Sequence, residues 1–280
     1  MTRAADDALL SSLLEGRVRG LNDAPERPGQ PFVLLWLQGQ RRLRQNLAFS
    51  HAQRRANEQG KPLVVYEALR CDYPHASDRL HRFVLEGVRD NAEDAAARGL
   101  RYGFYLQRPG DRRGVLHALA ARAAVVVTDW LPTFIHPAQT RALAARAPCR
   151  VEVVDAAGVV PLTVSPKAEI GARTLRPKLH RALPAFLKAI PEPVAKVAAP
   201  RRFHWGFEPF LPPEGPAGEA AIDAAIRLAA DRPRGPAGPG PARRLRRGAA
   251  AMTSRSTRAR FDLDPYLSRW GGAQGELKVR

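Results

Sequence analysis

Cysteine is scarce in this chain, and its scarcity excludes two kinds of site. The 280 residues contain two cysteines, Cys71 and Cys149, which are too few and too far apart for a disulfide framework or a structural zinc site. The seven histidines show no spacing typical of metal ligands. The sequence therefore predicts no metal.

Long apolar runs are also missing. No run approaches the roughly 18 apolar residues expected of a membrane helix. The N-terminus mixes charged residues throughout and has no cleavable apolar core. These two absences predict a cytoplasmic protein with no membrane partner.

Glycine-rich phosphate-binding motifs do not occur either. The chain has no GxxxxGK[ST] motif, and the turn at residues 38–40 is Gln-Gly-Gln rather than GxGxxG. Their absence argues against a P-loop nucleotide-binding protein and against a nicotinamide-dependent dehydrogenase. A GxSxG elbow, the usual mark of a serine hydrolase on an α/β fold, is missing as well.

Positive charge is abundant but unevenly distributed. The formal net charge is +18, and residues 232–280 carry twelve Lys or Arg against three Asp or Glu, a balance of +9. After one short helix predicted at 219–230, this stretch has a Pro/Gly/Arg bias typical of a sequence that cannot bury a core. Two interpretations stay open, a basic tail that binds polyanions and a disordered extension without function.

Apolar runs and helical spacing alternate along the chain, beginning with residues 32–56. The unbroken run FVLLWL at 32–37 is typical of a strand buried on both faces of a parallel sheet. A polar turn and then apolar residues at helical spacing predict the helix that follows. Four more strands are predicted on the same grounds, at residues 62–68, 100–106, 123–128 and 150–154.

Strands that alternate with helices predict an α/β fold, a Rossmann-like doubly wound sheet of five parallel strands in the order 3-2-1-4-5. This order places the switch point between the first and fourth strands, where such folds bind ligands. Trp36, Gln38 and Gly39 would then face Asp129 and Trp130 across a crevice. We expect the tryptophans to supply stacking area and Gln38 and Asp129 to supply hydrogen bonds, although aromatic residues and strand-terminal Asp also occur as core filler and helix caps.

The remaining helices are predicted from spacing and from end signals. Residues 7–18 are predicted to form an N-terminal helix, and Ser77 is predicted to begin a helix that runs to residue 98. Its predicted buried face consists of Leu80, Phe83, Val84 and Val88. Residues 169–187 have helical spacing that two prolines interrupt, which predicts a proline-broken helical extension.

Several short motifs in the same order resemble the class II DNA photolyases. The opening Trp36-Leu37-Gln38, followed by Arg42 and Asn46, is similar to the signature with which that family begins. The resemblance continues through SDRLHRF at 77–83 and VVTD at 126–129. Its most specific part is ARTLRPKLH at 172–180, which contains the family-motif residues Arg173, Arg176 and Lys178.

The resemblance implies a fold and an activity. Photolyases of this kind use light and reduced FAD to split a cyclobutane pyrimidine dimer that has been flipped out of damaged DNA. Their N-terminal α/β domain can hold an antenna pigment such as a deazaflavin or a folate. FAD and the lesion belong to a separate C-terminal helical domain. We expect Arg42 and Asn46 to fix the first turn and helix rather than to take part in chemistry.

That helical domain is not recognisable in this sequence after residue 191. The expected organisation is therefore a lead-in helix, a photolyase-like antenna domain, a helical linker and a low-complexity basic tail, at residues 1–30, 31–160, 161–191 and 192–280. We expect a truncated or frameshifted copy that retains the antenna domain, and whether this chain is an enzyme stays open. The alternative is a non-enzymatic α/β protein that binds nucleotide or nucleic acid with the help of its basic tail.

Overall fold

The computed structural model of the protein describes residues 3–70, 73, 76–111 and 113–230. Within them the strands are β1 (Val18–Gly20), β2 (Phe32–Leu37), β3 (Leu63–Leu69), β4 (Arg101–Leu106), β5 (Ala123–Asp129) and β6 (Arg150–Val154). The helices are α1 (Arg3–Leu14), α2 (Leu47–Glu58), α3 (Asp78–Ala97), α4 (Val115–Ala121), α5 (His136–Ala144), α6 (Ala172–Phe186) and α7 (Pro216–Ala230).

One sheet organises these elements, in the order β1-β6-β5-β2-β3-β4. The five strands from β2 to β6 pair in parallel, and their order is the 3-2-1-4-5 predicted from the sequence. The α/β, doubly wound fold class is thus confirmed. The sixth strand, β1, was not predicted; it pairs with β6 in the antiparallel direction.

β2 occupies the centre of the sheet and contributes to both cores. Its side chains alternate, as strand geometry requires. Val33, Leu35 and Leu37 pack on the face that α1 and α2 cover. Phe32, Leu34 and Trp36 pack on the face that α4 and α5 cover. Burial on both faces explains why the strand is an unbroken apolar run.

The N-terminal helix is shifted from its predicted position at 7–18. α1 ends at Leu14, and Gly16 adopts a φ of +69° in the left-handed region that commonly ends helices at glycine. The chain then turns so that Val18 lies opposite Val154 on β6. Pairing with a sheet edge outweighs helical spacing in this short segment.

α3 begins where Ser77 predicts, but only half of its predicted buried face is correct. The Ser77 hydroxyl accepts a hydrogen bond from the Leu80 amide, as an N-cap should. Leu80 and Phe83 are 49% and 74% exposed, respectively. Val88 is buried and Val84 is partly buried, as predicted. The helix also buries residues that were not predicted, namely His81, Leu85, Asn91 and Ala95. Its apolar surface is divided, since one part faces the core and the other lines a cavity.

α6 is continuous where the sequence predicted a break. The helix runs through Pro177 and Pro184, and none of its residues is buried. A proline removes one backbone donor, but bonds that span it can persist, such as that from the Leu187 amide to the Leu183 carbonyl at 2.8 Å. The predicted interruption is therefore corrected to a single exposed helix.

Residues 192–230 fall in the segment predicted to be a disordered tail, and here the structure corrects that prediction. Phe203, Trp205 and Phe207 pack against the core on the face of α4 and α5. Trp205 lies so close to Gly103 that a Cβ there would meet the indole at 2.6 Å. Helix α7 then packs on α3. Alternate aromatic residues supply the apolar area that the Pro-rich composition concealed, and the rest of the predicted tail, 231–280, lies outside the described residues.

Candidate ligand cavity

The turn after β2 is closed by a carboxylate. Asp129, at the end of β5, is buried and accepts hydrogen bonds from the backbone amides of Gln38 at 2.9 Å, Gly39 at 2.8 Å and Gln40 at 3.0 Å. We call this arrangement, residues 38–40 with Asp129, the Asp129 turn. A side chain at position 39 would begin 3.0 Å from Asp129 Oδ2, which explains the glycine. The predicted neighbours do meet, but as a packed turn and not as an open crevice.

Trp130 lies apart from the other predicted site residues. Its side chain is buried, and the guanidinium carbon of Arg19 on β1 lies 4.3 Å from the ring centroid. That distance is typical of a cation–π contact. Trp130 does not line the cavity described below, so its predicted part in ligand stacking stays without geometric support.

A cavity of about 530 Å³ opens beside the Asp129 turn, over the carboxyl ends of β2, β3 and β4. Three aromatic rings from these adjacent strands, Trp36, Tyr66 and Tyr105, line its floor. The walls come from the start of α3, the start of α4 and the segment that leads into α5. We call it the ring-floored cavity, and a space of this size with mainly aromatic and aliphatic walls is typical of a small-molecule site.

The floor of the cavity is strongly desolvated. Burial raises the pKa of the Tyr66 hydroxyl far above its ordinary value, and the nearby Tyr105 adds to the effect. Burial likewise raises the pKa of Tyr105 to about 12, and the nearby Asp111 carboxylate adds to the effect. Both phenols stay protonated at neutral pH, so the floor carries no negative charge.

Two of the arginines that line the cavity, Arg41 and Arg113, form ion pairs within the protein. Arg41 donates to Glu67 Oε1 at 2.7 Å and to the Ala68 carbonyl at 3.1 Å. Arg113 donates to Asp111 Oδ2 at 2.6 Å, and this contact holds the pKa of Asp111 well below its ordinary value. The charges of these two arginines are therefore offset within the protein.

Two histidines in the lining are neutral near pH 7. Burial lowers the pKa of both His117 and His136. The Arg146 charge lowers the pKa of His117 further, whereas Asp129 partly opposes the shift at His136. In the described part of the chain neither Nδ1 has a hydrogen-bond partner. The two imidazoles therefore add no charge to the cavity wall.

Large apolar side chains remain exposed at the rim. Leu80, Phe83 and Phe134 all line the cavity and are 49%, 74% and 51% exposed. Phe134 has a φ of +63°, a conformation that non-glycine residues rarely adopt. Its ring meets that of Tyr73 edge-on at 6.0 Å. The sequence alone did not assign Leu80 and Phe83 to a site, because helical spacing made them look like core.

Asn46 and Arg42 fix the start of α2, as expected. Asn46 Oδ1 accepts from the amides of Ala48 at 2.9 Å and Phe49 at 3.3 Å, while its Nδ2 donates to the carbonyl of Arg42 at 2.8 Å. The Arg42 guanidinium donates to the Arg44 carbonyl at 3.1 Å. Neither residue lines the cavity.

The other motif residues lie far along the chain on α6. Arg173, Arg176 and Lys178 are all exposed, and Lys178 forms an ion pair with Glu169. None of them lines the ring-floored cavity. Any function they have is therefore separate from this cavity.

A second buried polar cluster lies on the opposite face of the sheet. Glu152 accepts from His51 at 2.8 Å and from Arg150 at 3.0 Å, and Arg55 lies 3.5 Å away. Burial opposes ionisation of Glu152, but these partners outweigh it and lower the pKa to about 2. Every member of this cluster has a partner within the protein, so we interpret it as structural.

Two kinds of feature are missing from the described residues. No group of three or more His, Cys, Asp or Glu there could hold a metal ion. Nor is any of the described helices both long and apolar enough to cross a membrane.

Comparison with known proteins shows that part of the chain matches a protein family. A sequence model described as DNA photolyase matches residues 33–195. A deoxyribodipyrimidine photo-lyase of Methanothermobacter thermautotrophicus is 33% identical over 173 residues, which cover 61% of this chain and 38% of the relative. One from Potorous tridactylus is 35% identical over 167 residues, which cover 58% and 31%.

The similarity stops well short of the relatives' full length. The chain spans between 31% and 38% of the curated relatives it matches. Among solved structures, a bacterial class III photolyase from Agrobacterium tumefaciens is 19% identical with a TM-score of 0.42, over 62% of this chain and 36% of that one.

Proposed function

The chain belongs to the DNA photolyase family, and on that premise we propose that residues 31–160 form a light-harvesting domain whose ring-floored cavity binds an antenna pigment. The parent activity, by resemblance, is light-dependent repair of cyclobutane pyrimidine dimers in DNA. Since this chain spans only part of the relatives' length, repair by the chain itself belongs to the proposal and not to its premise.

The aromatic floor carries the proposal. Trp36, Tyr66 and Tyr105 come from three adjacent strands and lie side by side below one opening. Such surfaces favour planar ring systems, because stacking adds to the burial of apolar area. A deazaflavin or the pterin of a folate is a planar ring system of this kind. When bound, such a pigment absorbs light and passes the excitation energy to a flavin.

The residues of this chain would bind and desolvate the pigment. The floor supplies the stacking area, and the rim residues Leu80, Phe83 and Phe134 extend the apolar surface outward. Paired charges at Arg41 and Arg113 limit the field across the ring. Neutral His117 and His136 offer polar contacts without adding charge.

The proposal does not include an FAD site in the described residues. The family's flavin is expected in a helical domain, and the described residues form one sheet with its flanking helices. We therefore assign no FAD contact to any residue here. Dimer repair would require that helical domain, which then receives the excitation energy from the pigment.

Blocking the cavity tests the proposal. Ala142 lines the cavity but is exposed, so Ala142→Trp places a large side chain at the opening with little risk to folding. The purified full chain is titrated separately with riboflavin, 5-deazariboflavin and folic acid, and binding is followed by fluorescence. We expect Ala142→Trp to weaken binding by at least about tenfold, which corresponds to about 1.4 kcal/mol.

Ala138→Trp is the matched control. Ala138 is exposed on the same helix but does not line the cavity, so this variant should bind as the wild type does. Failure of the wild type to bind any of the three ring compounds would contradict the proposal. Equal loss in both variants would point to a change in α5 as a whole and would likewise count against the cavity.

Nucleic-acid binding is the second candidate, favoured by the charge distribution. Residues 232–280 carry half of the net charge of +18. If they bind phosphates, retention on DNA should fall steeply with salt and should disappear when they are deleted. Retention that survives the deletion would reject this role for the tail.

A further inference from the structure

Helix α6 differs from α2 and α3 in the balance of its charges. Its 15 residues include four Lys or Arg and no Asp or Glu. In α2 and α3, arginines are paired with a glutamate four residues further on, as are Arg54 with Glu58 at 3.8 Å and Arg89 with Glu93 at 3.5 Å. Opposite charges at this spacing stabilise a helix, whereas like charges three or four residues apart destabilise it. The positive charge of α6 therefore has no offset within the helix itself.

Three arginines of α6 point outward without a partner. Arg173, Arg176 and Arg181 are exposed, and their side chains have no hydrogen-bond, ion-pair or ring partner among the described residues. Their spacing of i, i+3 and i+8 places them on one side of the helix. The fourth cation, Lys178, forms an ion pair with Glu169. We call the three unpaired arginines the α6 arginine face.

The apolar residues of α6 are turned toward the protein. Leu175, Leu183 and Phe186 are half-buried, and Phe186 packs against the core on the face of α1 and α2. The guanidinium carbon of Arg17 lies 5.2 Å from the centroid of the Phe186 ring. An amphipathic helix that inserts into a membrane surface needs its apolar side free. In α6 that side is engaged, and the cations are the part presented outward.

The segment around α6 holds most of the positive charge outside the C-terminal stretch. Residues 167–202 contain nine Lys or Arg against two Asp or Glu, a balance of +7. Together with the +9 of residues 232–280, this leaves +2 of the total of +18 for the rest of the chain. The positive charge of the described part is thus concentrated on α6 and its flanks, and such a concentration favours a polyanionic partner.

We propose that the α6 arginine face binds the phosphate backbone of double-stranded nucleic acid. The guanidinium group matches a phosphate with two parallel hydrogen bonds, and the unpaired cations of this face are all arginines. A helix of this length extends about 22 Å, which equals the rise of about six base pairs. Phosphate contacts hold a duplex without reading its sequence. The surface lies apart from the ring-floored cavity and from residues 232–280, so the inference goes beyond the proposed pigment site.

The salt dependence of binding tests the proposal. The full chain is titrated into a fluorescein-labelled, undamaged DNA duplex of about 20 base pairs, and anisotropy is followed at several KCl concentrations. We expect the triple variant Arg173→Ala, Arg176→Ala and Arg181→Ala to bind at least about tenfold more weakly at about 100 mM KCl. The slope of log K against log salt should fall in magnitude by about 2.7, because each lost phosphate contact removes about 0.9.

The matched control removes the same charge elsewhere. Arg79, Arg108 and Arg141 are exposed on other elements, and their triple alanine variant should keep the wild-type slope and bind within about twofold of the wild type. Equal weakening in both triple variants would show an effect of net charge alone and would overturn the inference. A chain that does not bind the duplex, or an α6 variant whose slope equals that of the wild type, would overturn it too.

Two further measurements exclude other causes. A triple lysine variant of the α6 arginine face keeps the charge and should keep the slope, whereas a slope lowered as in the alanine variant would overturn the inference. Vesicles that contain phosphatidylserine provide a second polyanionic surface. Binding to vesicles that the alanine variant loses, with unchanged binding to DNA, would assign the face to a membrane and reject nucleic acid. Pigment titrations of the same variants should match the wild type, since the proposed pigment site does not include α6.

Discussion

The Asp129 turn and the ring-floored cavity lie at the same edge of one sheet, but they differ in whether their buried polar groups have hydrogen-bond partners. In the turn, three backbone amides converge on one buried carboxylate, and every donor is used within the protein. In the cavity wall, the Oε1 atom of Gln38 is buried and has no hydrogen-bond partner among the described residues. In the first region the three amides and the carboxylate all have partners, whereas the second contains buried polar atoms that have none among the described residues.

The contrast shows why a switch point does not by itself locate a ligand. Backbone amides at the end of a strand can bind an anion, as they do in phosphate sites. Here Asp129 takes the place that such an anion would occupy, because it lies on the adjacent strand within hydrogen-bond distance. The open space is displaced toward β3 and β4, where aromatic residues follow one another across the strands.

Asp129→Ala should have the largest effect on stability. It leaves three amides without their acceptor, and we expect the free energy of unfolding to fall by about 3–5 kcal/mol in urea denaturation. Asp129→Asn, which keeps one acceptor oxygen, should lose less. A stable Asp129→Ala protein that no longer binds pigment would break the comparison, since it would place Asp129 in the ligand site.

Glu152→Gln tests a buried carboxylate on the other face, and its effect should depend on pH. The pKa of Glu152 is lowered to about 2 in the folded protein, so the stabilisation is present above about pH 4.5 and is lost as the pH falls toward 2. We expect the variant to be less stable by about 2–3 kcal/mol at pH 7. The difference from wild type should shrink at pH 3. A difference independent of pH would contradict this interpretation.

Gly39→Ala should lower the free energy of unfolding by less than Glu152→Gln does. The added Cβ would lie 3.0 Å from Asp129 Oδ2 and 3.2 Å from Leu131 Cδ2, so the turn must shift slightly. We expect a loss of about 1–2 kcal/mol in the free energy of unfolding. Gly29→Ala is a suitable control, since a Cβ added there would meet no atom of a non-adjacent residue within 4 Å. Equal losses in both variants would show that crowding in the turn is not the cause.

Phe83→Ala should have the smallest effect on stability. It tests whether the rim of the cavity contributes to binding. The side chain is 74% exposed, so the free energy of unfolding should change by less than about 0.5 kcal/mol. Pigment affinity should fall by about threefold to tenfold, because apolar area at the rim is lost. Unchanged affinity would remove Phe83 from the site.

The sequence predicted the frame of the fold better than the site. Runs such as FVLLWL and AAVVVT predicted the five parallel strands and their order, because burial on both faces leaves a local signal. The sequence did not predict β1, because this strand depends on pairing with a strand over 130 residues away. It also failed at Trp205 and Phe207, whose contacts lie in another part of the sheet.

For the site, the sequence brought the right neighbours together and left their roles undecided. Local patterns determined that Trp36, Gln38 and Asp129 would meet at the ends of parallel strands, since strand polarity fixes that edge. Only the tertiary structure decided that Asp129 would bind amides, and that two threonines from β5 and α5 would fix the Gln38 amide. Hydrogen-bond direction depends on which donors are already used, and that is known only once the distant segments have packed.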